Sequence, residues 1–225
     1  MQDAVTLLLG DCAEKLKEIP DASIDLVVTS PPYDNLRQYK GYSFEFEKIA
    51  GELCRVIKTG GVIVWVVGDA TVNGSETGTS FRQALYFKEL GLNLHDTMIY
   101  QKIPVPYDPK CKRYWQAFEF MFVFTKGKIT TCNYITEKCV NAGKLKPNDY
   151  GQKYPNGRLR LDRHDENRVI KETKVKQNIW FYSPQNRIKG HPAQFPSNSQ
   201  STTFLAGQTK VTPFLIHSWE AARQA

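Results

Sequence analysis

The 225-residue sequence predicts a doubly wound α/β sheet, and three observations carry that expectation. Strand-like and helix-like segments alternate through the first hundred residues. The strand segments are apolar at nearly every position, as expected of strands covered on both faces. Three polar clusters, Gly10-Asp11, Ser30–Tyr33 and Gly68-Asp69, each stand directly after such a segment. In open α/β sheets that is where ligands bind.

Taken in order, Val5-Thr6-Leu7-Leu8-Leu9 is a short apolar run that predicts a first strand. Asp11 is a good N-cap for a helix over Cys12–Ile19, which Pro20 closes. Ser23–Thr29 is rich in β-branched and apolar residues and predicts a buried strand. Phe46, Ile49, Ala50, Leu53, Val56 and Ile57 recur at helical spacing, with Gly60-Gly61 as the stop signal. Val62–Val67 predicts a central strand, Thr79–Leu90 a helix ending at Gly91, and Met98–Gln101 a further strand.

The composition narrows the function classes. The chain is 41% hydrophobic and 24% charged, enough for one domain with a real core. No apolar run reaches the roughly 18–20 residues of a membrane span. The Met1-Gln2-Asp3-Ala4 start lacks the basic-then-apolar pattern of a signal peptide. Cys12, Cys54, Cys111, Cys132 and Cys139 are scattered and never form a C-x-x-C pair. This disfavours a metal site or a disulfide scaffold and leads to the expectation of a reducing, cytoplasmic setting. His95 and His164 have no partner pattern.

The net charge of +7 is unevenly spread. Residues 1–100 carry 9 Lys/Arg against 14 Asp/Glu, residues 101–190 carry 19 against 8, and the last 35 carry 2 against 1. An acidic half joined to a basic half fits a core with a surface for a polyanion, or a lysine-rich solvated face. Residues 127–177 also interleave Tyr134, Tyr150 and Tyr154 with the cations and are rich in Gly, Asn and Pro. A long loop-rich stretch of this kind is more often functional than filler.

The chemistry concentrates at Thr29-Ser30-Pro31-Pro32-Tyr33. Two prolines hold the backbone extended and offer no N–H, so nearby carbonyls face the cleft without a local donor. A serine oxygen and a tyrosine ring sit beside them. A planar aryl amine suits that arrangement, its hydrogens going to Ser30 and a proline-region carbonyl and its face to Tyr33.

This pentapeptide resembles the catalytic motif of the amino-methylating DNA methyltransferases, which transfer a methyl group from S-adenosylmethionine to cytosine N4 or adenine N6. The resemblance extends further. Leu8–Cys12 with Ile24–Val28 is similar to the segment preceding the motif, and Glu52–Gly61 to the helix and turn following it. Asn178-Ile179-Trp180 and Gly190–Pro196 resemble the segment before the cofactor loop. That order is the order of the β class.

The resemblance implies a Rossmann-like methyltransferase sheet acting on double-stranded DNA, with a restriction endonuclease as candidate partner. It makes Ser30, Pro31, Pro32 and Tyr33 catalytic, with Tyr33 as stacking platform for a flipped base or, alternatively, a packed core aromatic. Hydrogen bonds from the target amine would help rehybridise its nitrogen for in-line attack on the methyl group. Asp11, Cys12, Asp69, His191 and Pro192 become candidate cofactor contacts; Asp11 also remains an N-cap, and Asp69 either lines the cleft or caps a loop. Serine at position 30 leans toward cytosine N4, with adenine N6 open. An RNA or small-molecule methyltransferase on the same sheet is a further alternative.

The organisation implied is a catalytic core over 1–101, a basic target-recognition region over 102–177, a return to the core over 178–196 and an aberrant tail over 197–225. Lys112, Arg113, Arg158, Arg160 and Arg163 are the candidate DNA contacts. The tail is aberrant because the family pattern expects a glycine-rich D-P-F-x-G-S-G-T loop after Pro196, and Ser197 onward does not contain it. Permissible codons for Leu215–Ala225, read one frame over, spell Asp-Pro-Phe-Met-Gly-Ser-Gly-Thr-Thr-Gly, with the single tryptophan codon at Trp219 supplying needed bases. The expectation is a frameshifted end, a missing main cofactor loop and weak donor binding, which leaves a catalytically dead DNA-binding remnant as a rival.

Overall fold

The computed structural model of the chain describes residues 6–32, 44–102, 112–129, 132, 134–145, 155, 156, 169–182 and 213–216. The chain divides into two compact units, Met1–Asn133 with Asn178–Ala225, and Tyr134–Gln177.

The first unit is built on a six-stranded sheet. Helix α1 (Cys12–Lys17) begins at Asp11, whose side chain accepts from Ala13 N, and leads into strand β1 (Ile24–Thr29). Helix α2 (Phe46–Val56) buries Ile49, Ala50, Leu53 and Val56, the face set by their helical spacing. Strand β2 (Ile57–Val67) follows at once, and a small hairpin of β3 (Thr71–Val72) and β4 (Ser75–Glu76) continues from it. Helix α3 (Thr79–Glu89), strand β5 (Asn93–Lys102) and strand β6 (Phe118–Thr125) come next. Strands β7 (Thr136–Lys138) and β8 (Thr173–Val175) form an antiparallel pair in the second unit. The first unit is completed by β9 (Ile179–Tyr182) and β10 (Pro213–Ile216).

The sheet order is β10-β1-β2-β6-β5-β9. Strand β1 runs parallel to β10 and β2, β5 runs parallel to β9, and β6 runs antiparallel to both β2 and β5. The sheet is therefore mixed, with β6 placed between β2 and β5. Phe120, Phe122 and Phe124 alternate along β6; Phe122 and Phe124 enter the same cluster as Val27, Ile63, Trp65 and Val67. Helix residues Ala13, Leu16, Leu53, Ala84 and Phe87 complete that cluster, so the three described helices gather on one face of the sheet. Leu26, Val28, Val62, Val64, Met98, Met121 and Val123, which alternate with that set, are buried as well.

Three expectations are revised. The run at Leu7–Leu9 forms no strand over its described residues: Leu7 is 90% exposed, and no partner edge pairs with it there. Gly60-Gly61 does not stop α2. The helix ends at Val56, and Ile57 is already extended (ψ 134°). The glycines make an irregularity inside β2, where β1 pairs Ile24 with Ile57 but Leu26 with Val62. Gly60 takes a left-handed φ of 82°, and a Cβ on Gly61 would sit 2.9 Å from the carbonyl oxygen of Asp25. The region 102–177 is not one piece, because β6 lies in the sheet of the first unit while Tyr134–Gln177 forms the second unit. An eight-residue strand so rich in phenylalanine is too apolar to remain in a solvated recognition loop.

Two cations tie helices to the sheet. Lys126 donates from Nζ to the carbonyls of Cys54 (2.7 Å) and Ile57 (3.1 Å), satisfying the end of α2. Arg55 donates to the carbonyls of Leu16 (2.8 Å) and Ile19 (2.9 Å), closing the end of α1 against α2.

In the second unit, β7 and β8 pair from Thr136–Val175 to Lys138–Thr173, and Leu145 bridges Val169. Lys174 pairs with Glu137 at 3.0 Å.

Candidate functional site

Strands β1 and β2 run parallel and finish together, with Thr29 opposite Trp65. Ser30, Pro31 and Pro32 leave the sheet at that end; Pro31 is buried and Ser30 and Pro32 are half-buried. Buried β-branched residues make β1 rigid up to the point where the prolines take over, so the serine is carried on a fixed base. Tyr33 lies outside the described residues, as do His191, Pro192, Arg158, Arg160 and Arg163.

Asp69 emerges from the neighbouring strand at the same end. Its carboxylate accepts from the backbone N–H of Ser80 (2.8 Å), the Ser80 hydroxyl (2.5 Å) and more weakly the Thr77 hydroxyl (3.4 Å). Both oxygens are thereby engaged, and the residue serves as the missing cap of α3, whose own cap position is Gly78. Ser80 is fully buried beneath it. Of the two roles open to Asp69 in sequence, capping is the one these contacts describe.

Asp11 is half-buried and accepts from Ala13 N at 2.8 Å and Glu14 N at 3.4 Å. Arg55 binds the far end of α1 near the start of β2. Asp11 stands at the opposite end of α1 from these bonds. Cys12, the first residue of α1, is half-buried and packs against the helix-side core.

Strand β6 starts at this same end, because it is antiparallel to β2 and pairs Phe120 with Val67. Lys112 and Arg113, on the approach to β6, are both exposed. Arg113 is nonetheless engaged: its guanidinium donates to the Thr71 hydroxyl (2.9 Å) and the Gly74 carbonyl (2.7 Å) and lies 3.7 Å from Glu76. One candidate DNA contact thus holds a hairpin.

Several residues here escaped sequence reasoning. Lys102, at the end of β5, pairs with the mostly buried Glu119 of β6 and lies 5.7 Å from the centre of the Tyr100 ring. Trp65 donates from Nε1 to the buried Gln83 at 2.8 Å. Only the hairpin had a local signal, the Asn73-Gly74 pair, whose φ angles of 50° and 80° suit a tight two-residue turn. The ion pair joins residues 17 positions apart, and no local pattern announces it.

Among the described residues, no three His, Cys, Asp or Glu side chains come together as a metal site would require. No helix is long and apolar enough to cross a membrane.

Comparison with known proteins adds to this geometry. The family model described as DNA methylase, of the N6/N4 type, matches residues 24–202. The orphan methyltransferase M.BamHII of Bacillus amyloliquefaciens is 51% identical over 217 residues, covering 88% of this chain and 78% of that protein. The PvuII DNA methyltransferase (cytosine-N4-specific) shares the fold at a TM-score of 0.52 and 18% identity, covering 84% of this chain and 64% of that one. A putative DNA modification methylase from Thermus thermophilus, solved with S-adenosyl-L-methionine, is 27% identical at a TM-score of 0.44, covering 55% of this chain and 56% of that one.

Proposed function

The chain belongs to the N6/N4 DNA methylase family, and on that premise we propose that it methylates the exocyclic amine of a base rotated out of double-stranded DNA, cytosine N4 ahead of adenine N6. The observation that carries this reading is Ser30-Pro31-Pro32 at the end of a buried parallel strand. An aryl amine is a weak nucleophile because its lone pair is spread into the ring. Ser30 and a carbonyl of the proline segment accept its two hydrogens and draw the nitrogen toward a tetrahedral form. Because β1 is fixed by burial, the amine is held for in-line attack, and such positioning is a large part of the rate. Tyr33, by its place in the motif, stacks on the base.

S-adenosylmethionine, the family's methyl donor, supplies the methyl group when bound. Asp11 is the described residue that fits a role in holding its adenosine end, while the Asp69 carboxylate accepts from Ser80 and Thr77. His191 and Pro192 remain proposed neighbours of its methionine end. Arg158, Arg160, Arg163 and Lys112 are proposed phosphate contacts. The name of the Bacillus relative, an orphan methyltransferase, supports a reading in which this chain acts without a companion endonuclease.

The test is to incubate the chain, with its frame restored from residue 197, with S-adenosylmethionine and duplex DNA and to identify methylated nucleosides by mass spectrometry. N4-methylcytosine that disappears in Ser30→Ala is expected; N6-methyladenine would reassign the base, and RNA as the preferred substrate would overturn the reading.

The rival, a DNA-binding remnant, is favoured by one observation: residues 197–225 do not contain the D-P-F-x-G-S-G-T pattern. On the frameshift reading, calorimetry gives little or no donor binding for this chain and ordinary binding once the frame from residue 197 is restored. Micromolar binding by the chain as written would refute it.

A further inference from the structure

Three segments of the first unit meet the same end of the sheet: Ser30–Pro32 after β1, the β3–β4 hairpin after β2, and residues 112–117 before β6. The last of these is fastened twice. Lys102 N donates to the Ala117 carbonyl at 2.8 Å, extending the pairing of β5 with β6. Arg113 grips the hairpin through Thr71 and Gly74. Between these anchors stands Tyr114, whose side chain is wholly exposed at 101%. Lys112, two residues earlier, is exposed as well.

An aromatic ring held entirely in water contributes nothing to the core, while burying one is among the largest apolar gains a side chain makes. The adjacent arginine, the usual choice for a phosphate contact, holds the hairpin instead through the Thr71 hydroxyl and the Gly74 carbonyl. The combination presents a flat ring from a stiffened support, beside a cation, on the rim where the methyl-acceptor amine is to be bound. Two strand spacings, about 10 Å, separate β1 from β6 in the sheet order. That is within the reach of neighbouring nucleotides.

We propose that Tyr114 is a base-stacking contact, laying its ring on an unpaired or displaced nucleobase, with Arg113 as a positioning residue that braces it through the hairpin and Lys112 attracting the phosphate backbone. The proposal rests on the DNA-methyltransferase reading and deepens it by naming a surface for unpaired bases. Stacking on any base is tolerant of sequence, so this contact adds affinity for opened DNA without reading a sequence.

The experiment uses the full chain and two fluorescent duplexes of one sequence, one fully paired and one with a single unpaired adenine at its centre. Anisotropy titrations are run without cofactor at several salt concentrations. The wild type is expected to prefer the duplex with the unpaired base. Tyr114→Ala should weaken binding to that duplex about 5- to 150-fold, the span of a lost base–aromatic stack, while Tyr114→Phe keeps the preference. Arg113→Ala should reduce the preference in part. Lys112→Ala should weaken both duplexes alike and flatten the salt dependence. Because Tyr114 buries nothing, its variants should unfold at the wild-type midpoint. If wild type binds DNA and Tyr114→Ala retains the preference, the stacking role is overturned and the methyltransferase reading stands. If wild type binds neither duplex, that reading falls, and the stacking role with it.

Discussion

Replacing Asp69 with alanine removes the acceptor that holds the first turn of α3 to the end of β2. The backbone N–H of Ser80 loses a 2.8 Å bond, and the Ser80 hydroxyl, fully buried, loses its 2.5 Å partner. Loss of a helix cap costs about 1 kcal/mol. A buried hydroxyl left without an acceptor costs about 1–3 kcal/mol more. The expected destabilisation is therefore about 2–4 kcal/mol, or about 10 °C in melting temperature for a chain of this size. Asp69→Asn keeps an oxygen for the N–H and should cost about 1 kcal/mol. Urea unfolding of wild type, Asp69→Ala, Ser80→Ala and the double variant provides the assay. A coupling energy above about 1 kcal/mol between the two sites is expected, since they share one network. Destabilisation of Asp69→Ala below about 0.5 kcal/mol would refute the capping role of Asp69.

Gly61→Ala places a methyl group 2.9 Å from the Asp25 carbonyl oxygen and 3.0 Å from that of Lys58, neither of which can yield without moving a strand. It should cost about 1–3 kcal/mol, seen as an earlier urea midpoint. Phe87→Ala empties a site ringed by Phe46, Trp65 and Phe124, and should cost about 3–5 kcal/mol in the same measurement. Burial pushes the Cys54 thiol up to about 11, against a smaller opposing pull from Lys126. The unfolded chain would lose that proton near its ordinary value of 9.0 and the folded chain only near 11, so stability should fall as pH rises through this window. Cys54→Ala should flatten that slope. A thiol reagent at pH 8 should label the exposed Cys132 well before Cys54.

Much of the framework is legible in local pattern. Helical spacing marks α2, an N-cap marks α1, and unbroken apolar runs mark β1 and β2. The Ser30-Pro31-Pro32 cluster could be located from its place after a strand, because a parallel sheet offers its ligands that end. What local pattern missed has one physical cause. The order of strands is set by contacts between distant segments, and sequence neighbours say little about them. Strand β6 reads only as an apolar run, and its antiparallel insertion between β2 and β5 depends on Phe122 and Phe124 finding Phe87 and Trp65 across the helix-side core. The same holds for Leu7–Leu9, apolar enough for a strand but without a partner edge over the described residues.

The sequence by itself determined the residue chemistry: an acceptor-rich, donor-poor strand end, an uneven charge and a family of amine methylases. Only the tertiary structure decided the employment of individual side chains. It gave Asp69 the first turn of α3 to cap and Arg113 the β3–β4 hairpin to hold, and it left the Tyr114 ring exposed. A carboxylate or guanidinium makes its strongest bonds with whichever partner the fold brings within about 3 Å. That partner lies 11 residues away for Asp69 and 39 to 42 for Arg113, beyond the reach of any local pattern.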